Sequence, residues 1–218
     1  MDQTFFNDLS NKLRLFALEH YNVKLKPSHT HEMMAAMCGY RSKNGLLNDK
    51  THSMNNLASA ELIVFNPEEL LDARRQTLKG LPTELPESRI LCDAVFNYLS
   101  AEDNLLNAYP PFRSLDDMTE FLLENNDSYK HTFKYYTDVP LEHVVNIKNK
   151  AERQKSDFLS LLVFHAYETY DGEKLVAGQT SIFLPRIAGH IGYGHPEINV
   201  TIFTGRKVDL ETAGAQLC

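Results

Sequence analysis

Residues 158–184 read FLSLLVFHAYETYDGEKLVAGQTSIFL, and this stretch decides the fold class. From Phe158 to Tyr170 apolar and polar side chains alternate, the period of a strand with one buried face. Asp171-Gly172 follows, a pair suited to the positive φ angles of a two-residue hairpin turn. Leu175 to Leu184 then forms the return strand. A chain that closes on such a hairpin is not all-helical.

Outward from the hairpin the pattern stays mixed. Residues 185–197, PRIAGHIGYGHPE, read as a glycine-rich loop, and alternation resumes from Ile198 to Thr204. Upstream, Leu141, Val144, Val145, Lys148 and Ala151 suit a helix, and His131 to Thr137 is aromatic and extended. Residues 128–218 are therefore expected to form a small α+β domain with three or four antiparallel strands and one helix.

Residues 1–127 read as a helical domain. Phe5, Leu9, Leu13, Phe16 and His20 recur at helical spacing from Thr4 to His20. After VKLKP, Ser28 reads as an N-cap and Met33, Met34 and Met37 as an apolar stripe. Gly39 sits where a residue with positive φ would stop the helix. Ser42 caps a second short helix carrying Leu46 and Leu47, so residues 1–50 hold a helix-glycine-helix module. In residues 51–127, SAELIVF is a short strand or buried connection. Asn66 caps a helix with Pro67 at its first position and Leu70, Leu71 and Leu78 as apolar positions. Further helices carry Ile90 to Leu99, begin at Ser100 with Asp103, and begin at Ser114 with Asp117. The whole is α+β: a mostly helical N-terminal half followed by a small antiparallel sheet.

Charge is unevenly spread. The net charge is -7, yet residues 1–50 hold seven Lys/Arg against five Asp/Glu. Residues 51–128 hold five against fourteen. An acidic middle repels phosphates and argues against a broad nucleic-acid surface there. No apolar run reaches the roughly 18 residues of a membrane-spanning helix. The N-terminus MDQTFF lacks the basic start of a signal peptide, and Cys218 lacks the three following residues of a prenylation box. Three cysteines, Cys38, Cys92 and Cys218, form neither a disulfide framework nor a CxxC pair. A reducing cytoplasm is the expected compartment.

Three constellations bear on function. His29 and His31 are two apart on a helix and face different directions, and the position four after His31 is Ala35, so no zinc-protease helix forms. His190 and His195, with His165 on a nearby strand, would serve as metal ligands or acid and base. The plainer reading is a tight loop that happens to hold histidines. Gly189, Gly192 and Gly194 run GxxGxG ahead of a strand, which does not cradle a dinucleotide. Ala35 followed by Gly39 matches the turn of a helix-turn-helix, and Lys24, Lys26, Arg41 and Lys43 would meet phosphates. The match weakens at Gly45 and Asn48, where a recognition helix needs apolar packing. A helical docking module is the plainer reading. No nucleophile elbow, Walker loop or kinase signature occurs, and no cofactor is called for.

The run VKLKPSHTHEMMAAMCGYRSKNGLLND resembles a short helical module of uncharacterised bacterial plasmid and phage proteins: a Ser-His start, an Ala-rich helix, then Gly-Tyr and a leucine-bearing helix. It is also similar to the N-terminal segment of some glyoxalase-related proteins. SAELIVFNPEELLDARRQTLKG looks like the continuation, so the resemblance covers residues 10–80. It implies a bacterial accessory protein and carries no catalytic residue across. The sequence thus leads to a non-catalytic binding or regulatory protein, acting through protein contacts at residues such as Lys24, Lys26, His29, Arg41 and Lys43. The alternatives are a DNA-binding regulator through residues 24–47 and a metal-assisted enzyme at His165, His190 and His195.

Overall fold

Helix α1 (Thr4–Tyr21) begins the chain in a computed structural model that describes residues 4–101, 109–127, 129, 146–149, 157–168 and 174–206. Its buried stripe is Phe6, Leu9, Leu13 and Ala17. Phe16 is only half-buried and His20 is exposed, so the burial face is rotated from the expected one. Ser10 lies within that stripe and is satisfied by donating its hydroxyl to the Phe6 carbonyl, 2.8 Å away.

Helix α2 (Pro27–Met37) is buried on nearly all sides, from Thr30 through Met33, Met34, Ala35 and Ala36 to Met37. It packs against α1, against α3 (Lys43–Asn48) and against α4 (Glu68–Thr77). Ser28 is not its cap. The cap is Lys26, with no side-chain bond, because Pro27 has a fixed φ and no N–H to satisfy and therefore takes the first helical position. The helix ends as the glycine predicts. Gly39 has φ +88°, its N–H donates to Ala36, and the Tyr40 N–H donates to Ala35, both at 2.9 Å. These are the two bonds of a Schellman ending. Ser42 caps α3 by accepting from the Gly45 N–H at 3.2 Å.

A 3-10 segment, Met54–Ser59, leads to β1 (Leu62–Ile63). Helix α4 has Pro67 as its cap, one residue beyond the expected Asn66. Leu71 is fully buried while Leu70 is exposed, so only one of the two adjacent leucines serves the core. Helix α5 (Ser88–Ala101) buries Leu91, Val95 and Leu99.

The chain divides into two compact units that interleave in sequence. The first is Met1–Leu115, Arg153–Asp157 and Pro185–His195; the second is Asp116–Glu152, Phe158–Leu184 and Pro196–Cys218. The sequence reading draws a single boundary near residue 127 instead. One reason for the interleaving is local. Ala188 and Ile191 are buried in the same core as α1, α2, α4 and α5, so this short segment follows its apolar side chains into the helical unit.

In the first unit, β5 (Gly192–Tyr193) pairs antiparallel with β1, Leu62 opposite Tyr193. It also pairs with the end of β4 (Lys174–Ala188), Arg186 opposite Tyr193. The expected glycine-rich loop is therefore corrected: most of it is strand, and only residues 189–191 turn. In the second unit the strand order is β2-β3-β4-β6, with β2 (Asn146–Asn149), β3 (Phe158–Glu168) and β6 (Glu197–Arg206). β2 runs antiparallel to β3 and β6 antiparallel to β4. The helix expected around Val144 to Ala151 is corrected at 146–149, where the chain is extended and paired in a sheet. Tertiary pairing has overridden a weak helical pattern there. Helix α6 (Leu115–Glu124) carries buried Met118, Leu122 and Leu123. The Asp171-Gly172 turn, the extended segment at 131–137 and the Ser100–Asp103 helix start fall largely or wholly outside the described residues.

The architecture is α+β. No helix among the described residues is long and apolar enough to cross a membrane.

Candidate functional site

The alternation along β4 places Thr180, Ile182, Leu184, Arg186 and Ala188 on the buried parity. An arginine in that series must find an anion. Arg186 finds Asp49, which its Nη2 contacts as an ion pair, and reaches the Tyr40 hydroxyl at 3.4 Å. Tyr40 donates to Asp49 Oδ2 at 2.8 Å. The His52 N–H donates to Asp49 Oδ1 at 3.0 Å, and the His52 ring reaches the same oxygen at 3.3 Å. Nε2 of His52 lies 3.6 Å from Asp157. Burial opposes ionisation of Asp49, but the Tyr40 and His52 hydrogen bonds and the Arg186 charge outweigh it and hold the carboxyl below its ordinary value. Tyr40 is pushed up by burial first, then by its bond to Asp49. Both oxygens of Asp49 are engaged by Tyr40, His52 and Arg186, which makes the network a clasp rather than an acid-base pair poised for work.

His190 adjoins the clasp through its ring, edge-on to Tyr40 at 5.0 Å between centroids. Its N–H donates to the Cys38 carbonyl at 3.0 Å, and its own carbonyl accepts from the Tyr193 hydroxyl at 2.9 Å. It lines a cleft of about 380 Å³ with Asn66, Glu69 and Leu70. His195 goes elsewhere: its side chain is exposed, with Nδ1 2.8 Å from Glu61 Oε2. The backbone of His165 lies on β3, and its side chain lies outside the described residues. Among the described residues no group of three or more His, Cys, Asp or Glu is arranged to hold a metal ion. Burial raises both the Cys38 and Cys92 thiols to about 12, with nearby Glu68 and Asp93 adding to the effect at Cys92. Neither is a thiolate near neutral pH.

The basic residues of the module part company. Lys24, Lys26 and Arg41 are exposed, whereas Lys43 is half-buried. Helix α3 ends after six residues, a short element for reading a major groove. Nδ1 of His29 is buried with no hydrogen-bond partner among the described residues. Nζ of Lys43 donates to His31 Nδ1 at 3.0 Å, and its backbone N–H to Glu32 Oε2 at 2.9 Å. The same Glu32 oxygen accepts from Arg74 at 2.7 Å. His31 is thus half-buried and tied to Lys43. Its partners are remote in sequence, so no local signal reveals them. Arg186 did leave a signal, the parity of its strand.

The first unit also carries an open groove of about 450 Å³ between α1 and α5, with Leu9, Leu13, Phe16 and Val95 in its lining. Leu15 also lines it and is 50% exposed; Leu18 and Tyr21, outside that lining, stand 45% and 38% exposed further along α1. The three follow one another at three-residue spacing. They lie outside the apolar stripe of Phe5, Leu9, Leu13, Phe16 and His20 that helical spacing marks on α1.

No family model, no curated protein and no solved structure matches the chain.

Proposed function

We propose that the chain is a non-catalytic binding or regulatory protein of the bacterial accessory kind, acting through protein contacts made by α1 and its groove with α5. The observation that carries this reading is the run of exposed apolar side chains on α1, Leu15, Leu18 and Tyr21, of which Leu15 also lines the open groove with α5. Exposed large apolar groups grouped on one helix face mark interaction surfaces, and a groove between two helices suits a partner segment with an apolar face. The chemistry elsewhere is consistent with binding rather than turnover. The thiols are held protonated, and the Asp49 carboxylate is engaged by Tyr40, His52 and Arg186.

A photo-crosslinking residue placed at Leu18 is expected to capture one defined protein in bacterial lysate. Capture should fall at least about tenfold in Leu15→Asp, since a single well-packed anchor contributes on the order of 2 kcal/mol. The same residue placed at Lys24, exposed on the connection after α1, serves as the comparison. Equal capture from both positions would sink the reading.

A further inference from the structure

We propose that the α1 face at the groove binds a second copy of this chain, the two α1 helices packing antiparallel about a two-fold axis at Leu15. This rests on the groove reading above and names its partner. Of the large apolar side chains exposed among the described residues, Leu15, Leu18 and Tyr21 share α1, whereas Leu70 and Phe158 belong to other elements. Such a concentration on one helix marks a contact face. Charge says what meets it. The fixed charges among the described lining residues are Lys12 and Glu19, both on α1, while α5 contributes Ala94, Val95, Asn97 and Tyr98. Lys12 and Glu19 are seven residues apart, almost two helical turns, so they lie on one flank of α1 with Leu15 and Phe16 midway between them. The Lys12 ammonium is held at its end of the groove, 4.8 Å from the centre of the Tyr98 ring.

A helix that complements this face carries a carboxylate opposite Lys12, a cation two turns away opposite Glu19, and an apolar residue between them. α1 run in the opposite direction is such a helix. In an antiparallel pair of identical helices the same flanks face each other in reverse order. Lys12 then meets Glu19 of the second copy, Glu19 meets its Lys12, and Leu15 packs on Leu15. A parallel pair would instead set Lys12 on Lys12 and Glu19 on Glu19, and like charges face to face reject that direction. Asp8, the next carboxylate along this flank, accepts from the Tyr98 hydroxyl at 2.6 Å and falls opposite Asn22, which carries no charge. One patch meeting itself is the isologous contact of a two-fold dimer. Exposed ion pairs contribute little affinity, so the leucines hold the two copies together and the charges set their direction.

The test is sedimentation equilibrium of the full purified chain from about 2 to 200 μM, the range in which so small a contact associates. A monomer–dimer equilibrium is expected. Leu15→Asp should weaken it at least about tenfold, and Lys12→Glu or Glu19→Lys about fivefold each, because either charge change sets like charges face to face twice. Combining Lys12→Glu with Glu19→Lys reverses both members of each pair and should return the dissociation constant to within about twofold of wild type. Within one copy the two positions are separated by about 10 Å of helix rise, so the recovery reads a contact between copies. Lys12, Leu15 and Glu19 are all exposed, and an unchanged unfolding midpoint shows that each variant is folded. A chain that stays monomeric at the highest concentration, a dimer that survives Leu15→Asp in folded protein, or a double variant as weak as the single ones overturns the proposal. A monomeric chain whose crosslinker at Leu18 captures a different protein overturns the second copy and leaves the groove reading standing, whereas equal capture from Leu18 and Lys24 sinks the groove reading itself.

Discussion

Gly39 shows how much one residue can decide. Its φ of +88° belongs to the left-handed region, and a Cβ there would meet the Cβ of His190 at 2.4 Å. Gly80 shares the backbone conformation, φ +73°, but faces open space. Gly39→Ala should therefore cost about 2–4 kcal/mol in urea unfolding, from strain plus overpacking, and Gly80→Ala only about 1. Equal losses would show that the contact with His190 is unimportant. Asp49 is the second case. Asp49→Asn leaves Arg186 buried without its anion and should cost about 3 kcal/mol near neutral pH. Because folding lowers the Asp49 pKa, its contribution is complete above the ordinary value of 3.8 and is lost as pH falls below it. The gap between wild type and variant should accordingly narrow in acid. Thiol chemistry supplies a third test. With Cys38 and Cys92 raised to about 12, alkylation of both at pH 8 should be slow in the native protein and rapid once it is unfolded.

At the scale of elements, α4 separates two leucines that sequence treats alike. Leu71 is fully buried and Leu70 is 38% exposed. Leu71→Ala should lose about 2–5 kcal/mol and Leu70→Ala under about 0.5, read from denaturant midpoints. Helix starts and stops were legible where one residue type has one conformational use, as at Gly39 and Ser42. They were misplaced by one or two residues at Ser28 and Asn66, because an adjacent proline competes for the same turn. The strands β3, β4 and β6 were legible by alternation. The strand at 146–149 was not, since four residues carry too little period to outweigh a helical pattern around them.

At the scale of the molecule, residues 185–195 join the helical unit. Their backbone is tied to it at several points: Gly189 to His52, His190 to Cys38, and Val64 to Ile191, all between 2.8 and 3.0 Å. A fragment ending at residue 127 would lack Ala188, Ile191 and the Arg186 side of the clasp. It is expected to unfold without a cooperative transition and to bind a hydrophobic dye, whereas the full chain unfolds cooperatively. A sharp transition in the fragment would place the helical unit's stability wholly within residues 1–127.

By itself the sequence determined the α+β class, the helix-glycine-helix module and most elements, because period and turn chemistry act over a few residues. It also singled out His190 as a residue of interest, though for a metal site rather than for the cleft it lines. Only the tertiary structure decided which histidines stand near which groups. It separated His190 from His195, brought Lys43 beside His31, and set Arg186 on Asp49. These contacts join positions as far as 137 residues apart in sequence, and local pattern carries no information about such pairings. They follow from which faces the core buries, and that is settled only when all the elements pack at once.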